Sequence, residues 1–129
     1  MTALIADDDF ASRIVIQRYL LSFSTTDVAT DGLEAVALYK AALEKKQRYD
    51  LVCLDIMLPG KSGQTALKEI RQLETEYGIP QGKGARIIMV SALGDRETVM
   101  EAIQRCDAYL VKPIQLTDLV MHLKRFGFV

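Results

Sequence analysis

Three consecutive acids, Asp7-Asp8-Asp9, follow directly on the apolar run Ala3-Leu4-Ile5-Ala6. A second apolar run, Leu51-Val52-Cys53-Leu54, is followed by Asp55. A third, Ile87-Ile88-Met89-Val90, is followed by Ser91, and a fourth, Ala108-Tyr109-Leu110-Val111, by Lys112-Pro113. An acidic run set against buried apolar chain is costly unless something cationic compensates it. If these runs bring Asp7, Asp8 and Asp55 into one cleft, the carboxylates repel one another until a cation joins them. Oxygen ligands without His or Cys favour a hard ion, Mg²⁺ or Mn²⁺, over zinc. Mg²⁺ keeps waters and leaves room for phosphate oxygens, which suits phosphoryl transfer, where the work is positioning and charge neutralisation. A carboxylate can itself be the nucleophile, giving an aspartyl-phosphate. Lys112 would bring a point positive charge to a phosphoryl oxygen, and the Ser91 hydroxyl a hydrogen bond.

The elements that would position these residues are short apolar runs alternating with longer segments of helical period. Strands are expected at Ala3–Ala6, Asp27–Ala29, Leu51–Leu54, Ile87–Val90 and Ala108–Val111, each apolar at nearly every position, as in parallel strands covered on both faces. Helices are expected over 10–22, 33–46, 64–77, 95–105 and 116–126. Their stripes are Phe10, Ile14, Val15, Tyr19 and Leu20; Val36, Tyr39, Ala42 and Leu43; Ala66, Ile70, Leu73 and Tyr77; Val99, Ala102 and Ile103; and Leu116, Leu119, Val120, Leu123 and Phe126. Asp9, Asp31, Ser62, Asp95 and Thr117 stand at N-cap or first-turn positions. Five strand–helix repeats imply an α/β fold, a flavodoxin-like doubly wound five-stranded parallel sheet of order 2-1-3-4-5 with five helices. Ligands in such folds bind beyond the carboxyl ends of the strands, at the switch point between strands 1 and 3. That edge is where Asp7, Asp8, Asp55, Ser91 and Lys112 all fall.

Four segments together resemble the receiver domains of two-component response regulators. They are Leu4-Ile5-Ala6-Asp7-Asp8-Asp9, Asp50-Leu51-Val52-Cys53-Leu54-Asp55-Ile56-Met57-Leu58-Pro59-Gly60, Met89-Val90-Ser91-Ala92 and Tyr109-Leu110-Val111-Lys112-Pro113. Each is weak alone; in this order, over nearly the whole chain, they are specific. The resemblance implies a single receiver domain over residues 1–129. Asp55 would take a phosphoryl group from a phosphohistidine on a histidine kinase or histidine phosphotransfer protein. Asp8 and Asp55 would bind the metal directly, Asp7 largely through water, and the Met57 backbone carbonyl would complete the ligands. Ser91 and Lys112 would contact the phosphoryl group, Pro113 would follow a cis peptide bond, and Tyr109 would be the switch aromatic. On phosphorylation Ser91 would move toward the phosphate and the ring would turn inward. That would bias the surface of the fourth helix, fifth strand and fifth helix toward a downstream protein. Such a domain is no enzyme beyond its own phosphoryl transfer and autodephosphorylation.

The sequence departs from the family pattern at Ser62, where many relatives carry Asp, at Arg105-Cys106 and at Ile114. Met57 and Leu93 flank the expected phosphate entrance, and neither side chain can orient an attacking water, which implies a long-lived aspartyl-phosphate.

Other readings are weaker. Gly60-Lys61-Ser62 resembles the end of a P-loop, but that pattern needs glycine where Asp55 stands; Lys61 reads as a loop lysine. A haloacid-dehalogenase-like phosphatase would need a second acid two residues after the nucleophile, where Met57 stands. An adaptor of the same fold that is never phosphorylated, or a receiver excised from a longer regulator, are further alternatives. His122, the one histidine, reads as an ordinary helix residue, so the phosphoryl donor is external.

The remaining composition narrows the class. With 16 basic and 17 acidic residues there is no basic surplus for nucleic acid. No apolar run reaches the roughly 20 residues of a membrane span, and no basic leader precedes the first strand. Cys53 and Cys106 form no CxxC and read as free thiols of a reducing compartment. The expected location is the cytoplasm, with no membrane insertion. The glycine- and proline-bearing stretch Glu76–Arg86 reads as flexible surface linkage.

Overall fold

The computed structural model of the chain describes residues 1–92 and 105–129. Five strands, β1 (Thr2–Ala6), β2 (Thr25–Ala29), β3 (Leu51–Asp55), β4 (Arg86–Ser91) and β5 (Ala108–Val111), form one sheet. All neighbours are parallel, in the order β2-β1-β3-β4-β5. The described helices are α1 (Phe10–Leu20), α2 (Gly32–Glu44), α3 (Gly63–Glu76) and α4 (Leu116–Arg125). The helix expected over 95–105, its cap Asp95 and the entrance residue Leu93 fall on residues 93–104 but for Arg105, outside the described residues.

Strand alternation divides the core into two layers. Leu4, Ala6, Val52, Leu54, Ile87 and Met89 face Tyr39, Leu43, Leu67 and Ile70 of α2 and α3. Ala3, Ile5, Leu51, Cys53, Ile88 and Val90 face Ile16, Leu20, Leu119 and Leu123 of α1 and α4. β1 beyond its first residue, β3, and β4 after Arg86 are buried at every position. β2 departs from the expected two-sided cover. It pairs only with β1, and Thr25, Asp27 and their neighbours alternate between exposed and half-buried. An edge strand needs apolar side chains only where it meets a helix.

Three helical stripes also differ from expectation, one of them at Leu116 of α4, which is 48% exposed. In α1 the buried residues are Ser12, Ile16 and Leu20, while Phe10 is 67% exposed. The run Ile14-Val15-Ile16 offers apolar side chains in several directions, so its pattern leaves the docking face open. Tyr77 lies past the end of α3 and is exposed, because the last helical turn closes at the capping N–H of Tyr77 on Leu73 O.

Asp9, Asp31 and Ser62 cap α1, α2 and α3. Asp9 accepts from Ala11 N (3.1 Å), Asp31 from Glu34 N (2.7 Å) and Ser62 from Thr65 N (3.2 Å). α4 starts at Leu116 with no side-chain cap, and Thr117 lies in its first turn. The stretch Glu76–Arg86 is more than linkage: Ala85 is buried, and its N–H donates 2.8 Å to the buried Glu74 carboxylate. Glu74 also accepts from Tyr39 Oη and from Arg71 Nη1 (2.8 Å), which ties α2, α3 and the entry to β4 together.

Candidate phosphoryl-acceptor site

The parallel register sets the carboxyl ends of the strands side by side. Ala6 pairs with Leu54, and Asp55 with Val90, so the residues leaving β1 and ending β3 converge. One carboxylate oxygen from each of Asp7, Asp8 and Asp55 lies within 4.8 Å of the others. Asp7 and Asp55 are buried and Asp8 is exposed, so the cluster is open to solvent on one side.

Lys112 enters from the end of β5. Its Nζ donates to Asp55 Oδ2 (2.8 Å) and Asp7 Oδ1 (3.2 Å), and lies 3.9 Å from Asp9 Oδ2. The Lys112–Pro113 peptide is cis. Burial works against the lysine charge, but the hydrogen bond and charge of Asp55, then those of Asp7, outweigh it and hold the ammonium above its ordinary value.

The two buried acids are fixed locally. Asp7 N–H donates to Ala29 O (3.1 Å), and Asp7 Oδ1 accepts from Asp9 N–H (2.8 Å). Asp55 Oδ1 accepts from Met57 N–H (3.0 Å). Burial pushes the Asp7 carboxyl up to about 6, against the Asp9 N–H bond that lowers it, and the nearby Asp55 charge raises it further. Asp7 Oδ2 is buried with no hydrogen-bond partner among the described residues. An orphaned buried carboxylate oxygen in an all-oxygen cluster suits a hard divalent cation. The donor set therefore fits Mg²⁺ or Mn²⁺.

Ser91 and Tyr109 form a second group beside this cluster. Ser91 is fully buried, its Oγ donating to Ala92 O (3.1 Å) and sharing a close hydroxyl–hydroxyl hydrogen bond with Tyr109. The half-buried Tyr109 ring packs on the core layer of α2 and α3. The Met57 side chain is 68% exposed. Lys61 is engaged by Glu69 of α3, and His122 stacks on Phe126.

Two contributors to this edge are invisible to motif reading. Gly63 opens α3 against the tip of β3, where a Cβ would stand 2.0 Å from the Asp55 carbonyl oxygen. Only glycine permits that approach, and Gly63 N–H donates 2.8 Å to Ile56 O. Arg13 Nη1 donates 2.8 Å to the Asp7 carbonyl; its sequence signal is only a cation one turn beyond the acidic triplet. Asp9, besides capping α1, also approaches Lys112.

Known proteins resemble the chain along nearly its whole length. The sequence model described as the response regulator receiver domain matches residues 3–124. The chain is 38% identical over 115 residues to the chemotaxis protein CheY of Bacillus subtilis, covering 87% of this chain and 85% of that one. Its fold is similar to a mutant receiver domain of the histidine kinase CKI1 from Arabidopsis thaliana, with 29% identity and a TM-score of 0.80 over 98% of this chain and 89% of that one. It is also similar to the receiver domain of the sensor histidine kinase PA1611 from Pseudomonas aeruginosa, solved with a magnesium ion coordinated in its active-site cleft. There the identity is 30% and the TM-score 0.72, over 96% of this chain and 94% of that one.

Proposed function

The chain belongs to the response regulator receiver family of two-component phosphorelay signalling, and on that premise we propose that Asp55 accepts a phosphoryl group from a phosphohistidine on a partner. The supporting observation is the convergence of Asp7, Asp8 and Asp55 oxygens within 4.8 Å, with Lys112 Nζ 2.8 Å from Asp55 Oδ2.

Asp8 and Asp55 would hold Mg²⁺ directly and Asp7 largely through water, with the Met57 carbonyl completing the protein ligands. When bound there, the ion would supply charge neutralisation for the oxygens of the transferring phosphoryl group. An Asp55 carboxylate oxygen forms a bond to phosphorus as the phosphorus–nitrogen bond to the donor imidazole breaks, and that electron pair stays on the imidazole nitrogen. Lys112 turns from the carboxylates to a phosphoryl oxygen, and the Ser91 hydroxyl donates to another. With Ser91 drawn away, Tyr109 loses its hydroxyl partner, and its ring, already packed on the core, follows Ser91 further inward. That biases the surface built from 95–105, β5 and α4 toward a downstream protein.

The chain then works as one receiver domain over residues 1–129, in the cytoplasm, with a histidine kinase or histidine phosphotransfer protein as donor. It is a switch whose only chemistry is acceptance and loss of its own phosphoryl group. No described helix is long and apolar enough to cross a membrane.

Phosphoramidate, a small phosphorus–nitrogen donor, tests this. Intact mass after incubation with Mg²⁺ should show one phosphoryl adduct on wild type and none on Asp55→Asn. An unmodified wild type, or an adduct persisting on Asp55→Asn, would falsify the assignment.

A further inference from the structure

We propose that Arg13 is a positioning residue for the divalent cation, gripping the Asp7–Asp8 peptide so that both carboxylates stay aimed into the pocket. This rests on the metal reading above.

The Asp7 carbonyl and the Asp8 N–H share one planar unit. Whatever holds that carbonyl also sets the direction in which the Asp8 chain leaves. Among the described residues, the Asp7 N–H is held by Ala29 O and its carboxylate by Asp9 N–H and Lys112. The carbonyl is held by Arg13 Nη1 at 2.8 Å. Asp8 is exposed, so burial does little to fix its carboxylate, and the peptide plane carries that burden.

Arg13 suits the neighbouring acids by charge but opposes a divalent cation held by them. It follows Asp9 by four positions, in the first turns of α1, where the helix dipole disfavours a cation. It also stands beside a pocket suited to a divalent cation. Arg13 makes no ion pair with a carboxylate among the described residues to offset this. Helical side chains lean toward the N-terminus, which carries the half-buried guanidinium back over the Phe10 ring (5.6 Å to its centre) and onto the Asp7 carbonyl. The geometry thus delivers a hydrogen bond to the peptide together with a charge that competes with the metal ion for the acids.

Charge and positioning therefore predict opposite signs. Removing the Arg13 charge should tighten Mg²⁺ binding if only electrostatics matters, and loosen it if the peptide grip matters. Metal-stripped full chain would be titrated calorimetrically with MgCl₂ as wild type, Arg13→Gln, Arg13→Lys and Asp8→Asn. Loss of an outer-shell partner weakens metal affinity about 10-fold or more. Arg13→Gln is expected to show that loss, with Arg13→Lys between it and wild type. Thermal melts in chelator confirm that each variant is folded; should Arg13→Gln not fold, Arg13→Lys decides, and must bind more weakly than wild type. Equal or tighter binding by the folded variants, beside normal wild-type binding and loss in Asp8→Asn, overturns the role of Arg13 alone. A wild type that binds no Mg²⁺ overturns the metal reading and this inference with it.

Discussion

Lys112 Nζ lies 2.8 Å from Asp55 Oδ2, a contact that joins residues 57 positions apart at the ends of two strands. The same ammonium reaches Asp7 at 3.2 Å, so one lysine partly neutralises both buried acids. Replacing it should separate two effects. Lys112→Met leaves the carboxylates less compensated, so Mg²⁺ binds several-fold more tightly. Phosphoryl acceptance loses a preorganised positive charge, and its rate falls by about 100-fold. Calorimetry with Mg²⁺ and the rate of adduct formation measure the two. Weaker metal binding, or an unchanged rate, contradicts this role.

Asp7 gives a pH dependence with a defined sign. Its folded carboxyl titrates near 6 instead of 3.8, so the folded protein binds a proton that the unfolded chain has released. Without metal, stability attributable to Asp7 falls as pH rises between those values and levels off above about 6. Saturating Mg²⁺ favours the charged carboxylate and flattens the fall. Urea midpoints across that range, compared with Asp7→Asn, should show the slope in wild type without metal and a smaller one in the variant. A slope of the opposite sign in the difference counts against the burial argument.

The adduct, once formed, should persist. Met57 stands two residues after Asp55 with an exposed side chain, and a thioether is too weak an acceptor to align an attacking water. The aspartyl-phosphate is expected to survive for minutes or longer after the donor is removed, and Met57→Asn to shorten that lifetime several-fold. Decay of wild type within seconds would sink this.

The candidate site residues are legible in the sequence because parallel strands end on one edge. Once β1, β3, β4 and β5 are read from apolar runs, Asp7, Asp55, Ser91 and Lys112 must share it. The capping acids Asp9 and Asp31 are legible for the same local reason, a short polar side chain ahead of a helical period. Glu74 is not. It lies in a helix among other polar residues, and its burial depends on Tyr39 and the returning Ala85 N–H, tertiary contacts that close over its carboxylate beside the local pair with Arg71. Gly63 is likewise opaque, since its need for no side chain arises from the Asp55 carbonyl in another element. The exposed Phe10 shows the limit of periodicity: α1 has apolar residues on several faces, and the pattern does not say which one the sheet takes.

The most direct test of the account is chemical mapping of the acceptor. Wild-type protein would be treated with phosphoramidate and Mg²⁺, reduced with borohydride, which converts an aspartyl-phosphate to homoserine, and sequenced by tandem mass spectrometry. Homoserine is expected in place of Asp55 and nowhere else, with none when chelator replaces Mg²⁺. Homoserine at Asp7, Asp8 or Asp9, or equal conversion of Asp55 in chelator, would contradict it.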